Sequence, residues 1–251
     1  MCVCTLCPAI IDEYHFTSFW QVQCLVNALV LTKLHQKGVK QGDRQLTAVG
    51  VVVAVLFLFV TRGKPLPKLS TRKPSSSVLC RADLSSMAIQ FSIHFATIMT
   101  VTFISDVYVD PYDPSIVPDG PFHPNILNTA TFLITVLSTV NTFLVNYRGN
   151  PHMESLWKNV LLYRSIQACY FVLFVCASEV FPPLNQLLQL SPLPTTGPPA
   201  FNLSRNGVVI LDLLLGAVNS VGFRAILCVV MGLDTGLVIL AEKSLRSVME
   251  G

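Results

Sequence analysis

Residues 61–74 read Thr61-Arg62-Gly63-Lys64-Pro65-Leu66-Pro67-Lys68-Leu69-Ser70-Thr71-Arg72-Lys73-Pro74, the densest positive charge in the chain, set between two apolar segments. Three prolines keep the stretch out of helix interior, because proline lacks a backbone donor and clashes with the preceding turn. A basic loop abutting an apolar run of membrane-spanning character stays on the cytoplasmic side of a bilayer. Its reading therefore orients the rest of the chain. Composition agrees: 52% of the 251 residues are hydrophobic and only 12% charged, with a mean hydropathy of +0.58. A soluble domain of that make-up would have too little charge to cover its surface. The fold class expected is an all-α membrane protein, a bundle of about six transmembrane helices. A net charge of +3 belongs to the loops, which argues against nucleic acid as a partner and leaves the lipid bilayer as the immediate one.

Working outward, the spans expected are residues 16–34, 46–61, 84–109, 122–146, 160–181 and 223–241. A short cytosolic segment, 1–15, precedes them and a cytosolic tail, 242–251, follows; an interfacial helix is expected over 208–218. Proline-rich stretches break the pattern after Asp106, at Phe181-Pro182-Pro183 and over 189–199. The loop after the third span carries aspartates, and the next, around Arg148, Lys158 and Arg164, is basic again. That alternation puts the N-terminus, the Thr61 loop, the Arg148 loop and the C-terminus on one side. The basic connection from Lys33 to Arg44 lies on the other and breaks the rule.

Polar residues inside the spans are the candidates for function, since each is costly in hydrocarbon unless it pairs or lines a cavity. Gln21, Gln23 and Asn27 lie in the first span, Gln90 and His94 in the third, and Asn128 and Asn146 in the fourth with a threonine stripe at Thr131, Thr135, Thr139 and Thr142. Asp234 falls in the middle of the last span. His94 is expected to bond across the bundle, and Asp234 to pair with the 219–224 region or to serve function. No catalytic, cofactor-binding or metal residues are expected. Cys2, Cys4 and Cys7 lack a second ligand pair at zinc spacing, and Asp106, Asp110, Asp113 and Asp119 lack the spacing and terminal glutamate of a calcium loop. Asn202-Leu203-Ser204 matches a glycan acceptor.

Several blocks in order carry a family resemblance. Gly38-Val39-Lys40 is followed by Thr61-Arg62-x-Lys64-Pro65-Leu66 and Leu69-Ser70, then by Gln90-Phe91-x-x-His94-Phe95. Phe122-x-Pro124-x-x-x-Asn128 leads into Phe143-x-x-Asn146-Tyr147-x-Gly149-x-Pro151-x-Met153-Glu154-Ser155-Leu156, and Leu233-Asp234 into Leu240-Ala241-Glu242. From about Phe16 onward the chain resembles the C-terminal half of the membrane domain of type-five P-type ATPases, subfamily A; residues 183–218 depart from it. The resemblance implies an endoplasmic-reticulum membrane protein, part of an ATP-driven dislocase that extracts or flips mis-inserted transmembrane helices. ATP and magnesium are implied only for the complete family protein, whose Asp-Lys-Thr-Gly-Thr motif and nucleotide-binding domain do not occur in this sequence. A fragment or degenerate copy, inactive as an ATPase alone, is the expectation. Gln21, Gln23 and Asn27 would then face the path of a client helix, and Asp234 would serve bundle integrity. The alternative is a structural or interaction membrane subunit without transport. An independent secondary transporter would require an inverted repeat, which the broken character of the 207–240 run alone does not supply.

Overall fold

The computed structural model describes residues 3–64, 66, 81–108, 120–147, 153–195 and 222–250. Seven helices follow in order: α1 (Val3–Gln36), α2 (Asp43–Val60), α3 (Arg81–Asp106), α4 (Ile126–Asn146), α5 (Val160–Ser178), α6 (Pro182–Leu187) and α7 (Phe223–Glu250). Five of them, α2, α3, α4, α5 and α7, are long and apolar enough to cross a membrane. At 1.5 Å per residue, 18 residues reach about 27 Å, close to the hydrocarbon thickness. The expected first span lies within α1, which is not one of the five; its described part carries Gln21, Gln23, Asn27, Lys33, His35 and Gln36. The protein is an all-α, multi-span membrane bundle.

α4 is the axis. Its span is 94% buried, against 17–44% for the other four, and it packs on α1, α2, α3, α5 and α7. The threonine stripe is therefore no polar face turned to one neighbour. Thr131, Thr135, Thr139 and Thr142 each donate to the carbonyl four residues back, at 2.7–2.8 Å. This satisfies the hydroxyl within the helix and leaves a small side chain that lets neighbours approach. Around the axis, Leu127, Leu133, Ile134 and Leu137 meet Leu56, Ile98, Ile104, Leu162 and Leu227 in one continuous core.

Helix starts follow from local chemistry. Pro124 ends the irregular run 121–125, and Asn125 caps α4 by accepting from Asn128 N at 2.7 Å. The helix begins at Ile126, four residues later than the expected span. Asn159 caps α5 and also donates to Phe59 O at 2.9 Å, which ties the end of α2 to the start of α5. Pro182 and Pro183 are expected to stop the fifth span, and α5 does end before them, at Ser178; the pair then opens α6, because proline suits the first helical turn, where its missing N–H has no partner to lose. α7 continues as helix through residues 242–250.

The helices alternate in direction, so the bundle has two ends. One gathers residues 37–45, 106, 120–128, 179–195 and 222–224, joined by contacts such as Lys40 Nζ to Gly120 O and Gln45 Nε2 to Gln189 O. The other gathers residues 59–66, 145–160 and 242–246, joined by Glu154 N to Lys64 O and Arg246 Nη2 to Val145 O. The expected interfacial helix at 208–218, the Asn202 acceptor, Asp110, Asp113, Asp119 and most of the Thr61–Pro74 loop lie outside the described residues.

Candidate functional site

The deepest polar feature is built on Asp234. It lies eleven residues into α7, about 17 Å along the helix axis and near mid-bilayer, and it is 1% exposed. One carboxylate oxygen accepts from Thr97 Oγ1 at 2.6 Å. The other accepts from Asn141 Nδ2 at 2.8 Å. His94 Nδ1 lies 3.1 and 3.0 Å from the two oxygens, so that this nitrogen carries the proton. Asn141 is fixed in turn: its Oδ1 accepts from Thr235 Oγ1 at 3.2 Å and from the Tyr170 hydroxyl. One carboxylate thus ties α7 to α3 and α4 directly, and to α5 through Asn141. His94 Nε2, fully buried, has no hydrogen-bond partner among the described residues.

The expected pairing of Asp234 with the 219–224 region is corrected here. Arg224 sits ten residues away at the helix end and bonds Glu179 Oε2 at 2.5 Å and Leu193 O at 3.0 Å. Glu179 also accepts from Leu193 N, and these bonds hold it at a φ of 54°, a left-handed conformation uncommon for a residue with a side chain. The result is a clasp joining the end of α5, the segment after α6 and the start of α7.

A second polar layer lies toward the other end of the bundle. Gln90 and Asn146 exchange amide hydrogen bonds at 3.1 and 3.0 Å. Gln90 Nε2 also reaches Ser86 at 2.9 Å, and Ser86 donates to Glu242 at 2.5 Å. Arg246 neutralises Glu242 at 3.0 Å. A third layer, at the Lys40 end, joins Gln45 Nε2 to Asn128 Oδ1 at 2.7 Å while Asn128 Nδ2 donates to Lys40 O at 2.8 Å.

Of the sequence candidates, the structure therefore brings together His94 with Asp234, and Gln90 with Asn146. Asn128 stands apart with Gln45. Gln23 and Asn27 share one turn of α1, with Gln23 Nε2 at 3.3 Å from Asn27 Oδ1, and the Oε1 atoms of Gln21 and Gln23 are buried without a partner. Sequence reasoning did not single out Thr97, Asn141, Tyr170, Thr235, Ser86 or Glu242. Only Asn141 carried a usable signal, as an amide inside an apolar run one position off the threonine stripe.

Chemically these layers hold helices together. Asp234 is saturated by donors, and no group of three His, Cys, Asp or Glu side chains suited to a metal occurs among the described residues. A groove of about 360 Å³ opens beside the Asp234 layer between α5 and α7, lined by Tyr170, Phe174, Cys228, Gly232 and Thr235 among others. Both its hydroxyls turn inward to Asn141, which leaves its wall apolar.

What the fold and these layers define is a multi-span membrane domain stabilised by interhelical polar bonds, and the sequence comparisons agree. Over 186 residues, 74% of this chain, it is 32% identical to the endoplasmic reticulum transmembrane helix translocase of Saccharomyces cerevisiae. Over 210 residues, 83% of the chain, it is 32% identical to the endoplasmic reticulum transmembrane helix translocase spfA of Aspergillus fumigatus. Over 173 residues, 69% of the chain, it is 35% identical to the probable manganese-transporting ATPase PDR2 of Arabidopsis thaliana. The chain spans only 14–15% of the length of these relatives. No family model matches it. The chain is thus homologous, over most of its own length, to a small part of endoplasmic-reticulum transmembrane helix translocases.

Proposed function

We propose that this chain is the scaffold portion of the membrane domain of a P-type ATPase-like translocase of subfamily A of type five, resident in the endoplasmic reticulum and acting on transmembrane helices. The observation that carries the reading is the 32–35% identity to named helix translocases over 67–83% of the chain. The geometry fits a scaffold. Three polar layers lock the helices around a wholly buried α4, as is needed of a part that holds its shape while others move. In a complete translocase of this kind, ATP hydrolysis would belong to other domains.

Within this reading, α1 faces the client path. Gln21 and Gln23 carry buried amide oxygens without partners, whereas Gln90 and Asn146 satisfy each other fully. An unsatisfied amide in a membrane domain is expensive and is suited to bonds that form transiently with a passing helix. A photoreactive residue at position 21, in the chain joined to the catalytic domains of the yeast relative, should crosslink a client transmembrane helix under ATP turnover. A control at lipid-facing Phe171 should crosslink lipid alone. Equal client crosslinking from both positions would remove α1 from the path.

A further inference from the structure

The two ends of the bundle differ in how far their positive charge is matched, although Arg246 pairs with Glu242 at the end away from residues 37–45. At the end holding residues 37–45, the cations are matched by protein groups. Lys37 pairs with Asp106 at 2.6 Å, Lys40 bonds Gly120 O at 2.9 Å, Arg44 bonds Leu187 O at 3.4 Å, and Arg224 pairs with Glu179. At the opposite end, Arg62, Lys64, Lys158 and Arg164 are all exposed, and no ion pair or side-chain hydrogen bond engages any of them among the described residues.

These four cations lie at one end of the bundle, on two segments that are joined to each other. Glu154 N bonds Lys64 O at 3.0 Å and Asn159 Nδ2 bonds Phe59 O at 2.9 Å, which fastens the turn after α2 to the segment that enters α5. Glu154, half-buried, is the one carboxylate in the described parts of either segment. Arg164 stands one turn inside α5, on the face where Val160, Leu161, Ala168 and Phe171 are exposed. That face meets lipid, so the guanidinium must run along the wall to the headgroup level. Trp157, 70% exposed and 4.6 Å from the Tyr163 ring, is an amphipathic ring at the same level, where tryptophan concentrates in membrane proteins.

We propose that Arg62, Lys64, Lys158 and Arg164, with Trp157, form a binding site for the phosphate headgroup of anionic phospholipids in the leaflet at this end. Charge complementarity selects the ligand's sign. The lipid-facing origin of Arg164 and the interfacial Trp157 select a lipid over a free anion, which would use neither. The site also sets orientation, by holding this end in the more anionic leaflet.

The chain has two tryptophans, so Trp20→Phe leaves Trp157 as the sole reporter. The full chain carrying that change is reconstituted in phosphatidylcholine vesicles containing either brominated phosphatidylserine or brominated phosphatidylcholine at equal mole fraction. Quenching of Trp157 should show phosphatidylserine preferred about fivefold or more, the factor of a single cation near an anionic surface. The preference should vanish in R62Q/K64Q/K158Q/R164Q and persist in K37Q/K40Q. Inorganic phosphate should compete no better than sodium chloride of equal ionic strength. Equal quenching by the two lipids in the parent overturns the proposal without recourse to any further variant. So does a preference that survives the four substitutions, or specific displacement by inorganic phosphate.

Discussion

Replacing Asp234 by asparagine looks conservative, and the geometry says that it is not. Asparagine keeps one oxygen, which can still accept from Thr97 and His94. Its amide then faces Asn141 Nδ2, donor against donor, where a bond of 2.8 Å stood. Asn141 cannot relieve this by turning over, because its oxygen already accepts from Tyr170 and Thr235. One interhelical bond is lost outright and two more are disturbed. Breaking a buried charge pair costs about 3–5 kcal/mol in soluble proteins. Interhelical bonds in membrane proteins average about 0.6 kcal/mol and reach about 1.7, since the membrane-unfolded state finds partners too. The membrane figure governs here, and three affected bonds give a loss of about 2–4 kcal/mol. Unfolding of the purified chain in mixed detergent micelles, titrated with sodium dodecyl sulfate, measures it. A double-mutant cycle of Asp234→Ala with Asn141→Ala should show coupling of about 1 kcal/mol or more, while Asp234→Ala with Gln45→Ala should be additive. A loss below about 0.5 kcal/mol for Asp234→Asn, or additivity with Asn141→Ala, would refute the hub.

Other substitutions probe the remaining layers. Asn146→Leu leaves the Gln90 amide oxygen without its donor and removes one of the bonds of its nitrogen, and should cost about 1–2 kcal/mol in the same assay, with part recovered when Gln90 is also made Leu. Arg224→Ala should destabilise more than Arg224→Ala combined with Glu179→Ala, since the single change leaves a largely buried carboxylate without its counter-ion; equal losses would dissolve the clasp. Two glycines should part company. Gly222 has a φ of +87° and Thr195 O 3.1 Å from an added Cβ, whereas Gly232 meets nothing within 4 Å. Gly222→Ala should therefore lose at least about 1 kcal/mol, and Gly232→Ala, mid-helix, should be neutral or gain up to about 1 kcal/mol.

How much of this could be read from the sequence depends on the range of the interaction. Helices and their apolar runs are local, and the composition made the membrane bundle plain. Asp234 and His94 stood out because an ionisable group in an apolar run has few innocent explanations. Their pairing was not legible: it joins positions 140 residues apart, and nothing along the chain records which helices touch. The same limit hid Tyr170, whose hydroxyl matters only because Asn141 faces it. The threonine stripe of α4 was visible in the sequence, but not that each threonine bonds its own backbone on a helix buried nearly all round. The basic Lys33–Arg44 connection still breaks the charge rule, which counts Lys and Arg whether or not they are paired; what the sequence could not show is that Lys37, Lys40 and Arg44 bond Asp106, Gly120 O and Leu187 O. At Pro182 and Pro183 the expected break is present, since α5 ends at Ser178; that the pair also begins α6 was not legible.

The central claim is that this bundle is the scaffold of a helix translocase. Its most direct test exchanges the matching region of the Saccharomyces cerevisiae translocase for the corresponding residues of this chain, followed by reconstitution in proteoliposomes. ATP-driven extraction of a mis-inserted transmembrane helix should proceed at a rate within a few-fold of the parent, and fall when Asp234→Asn is added. A chimera that folds and hydrolyses ATP but leaves the helix in the bilayer would contradict the account.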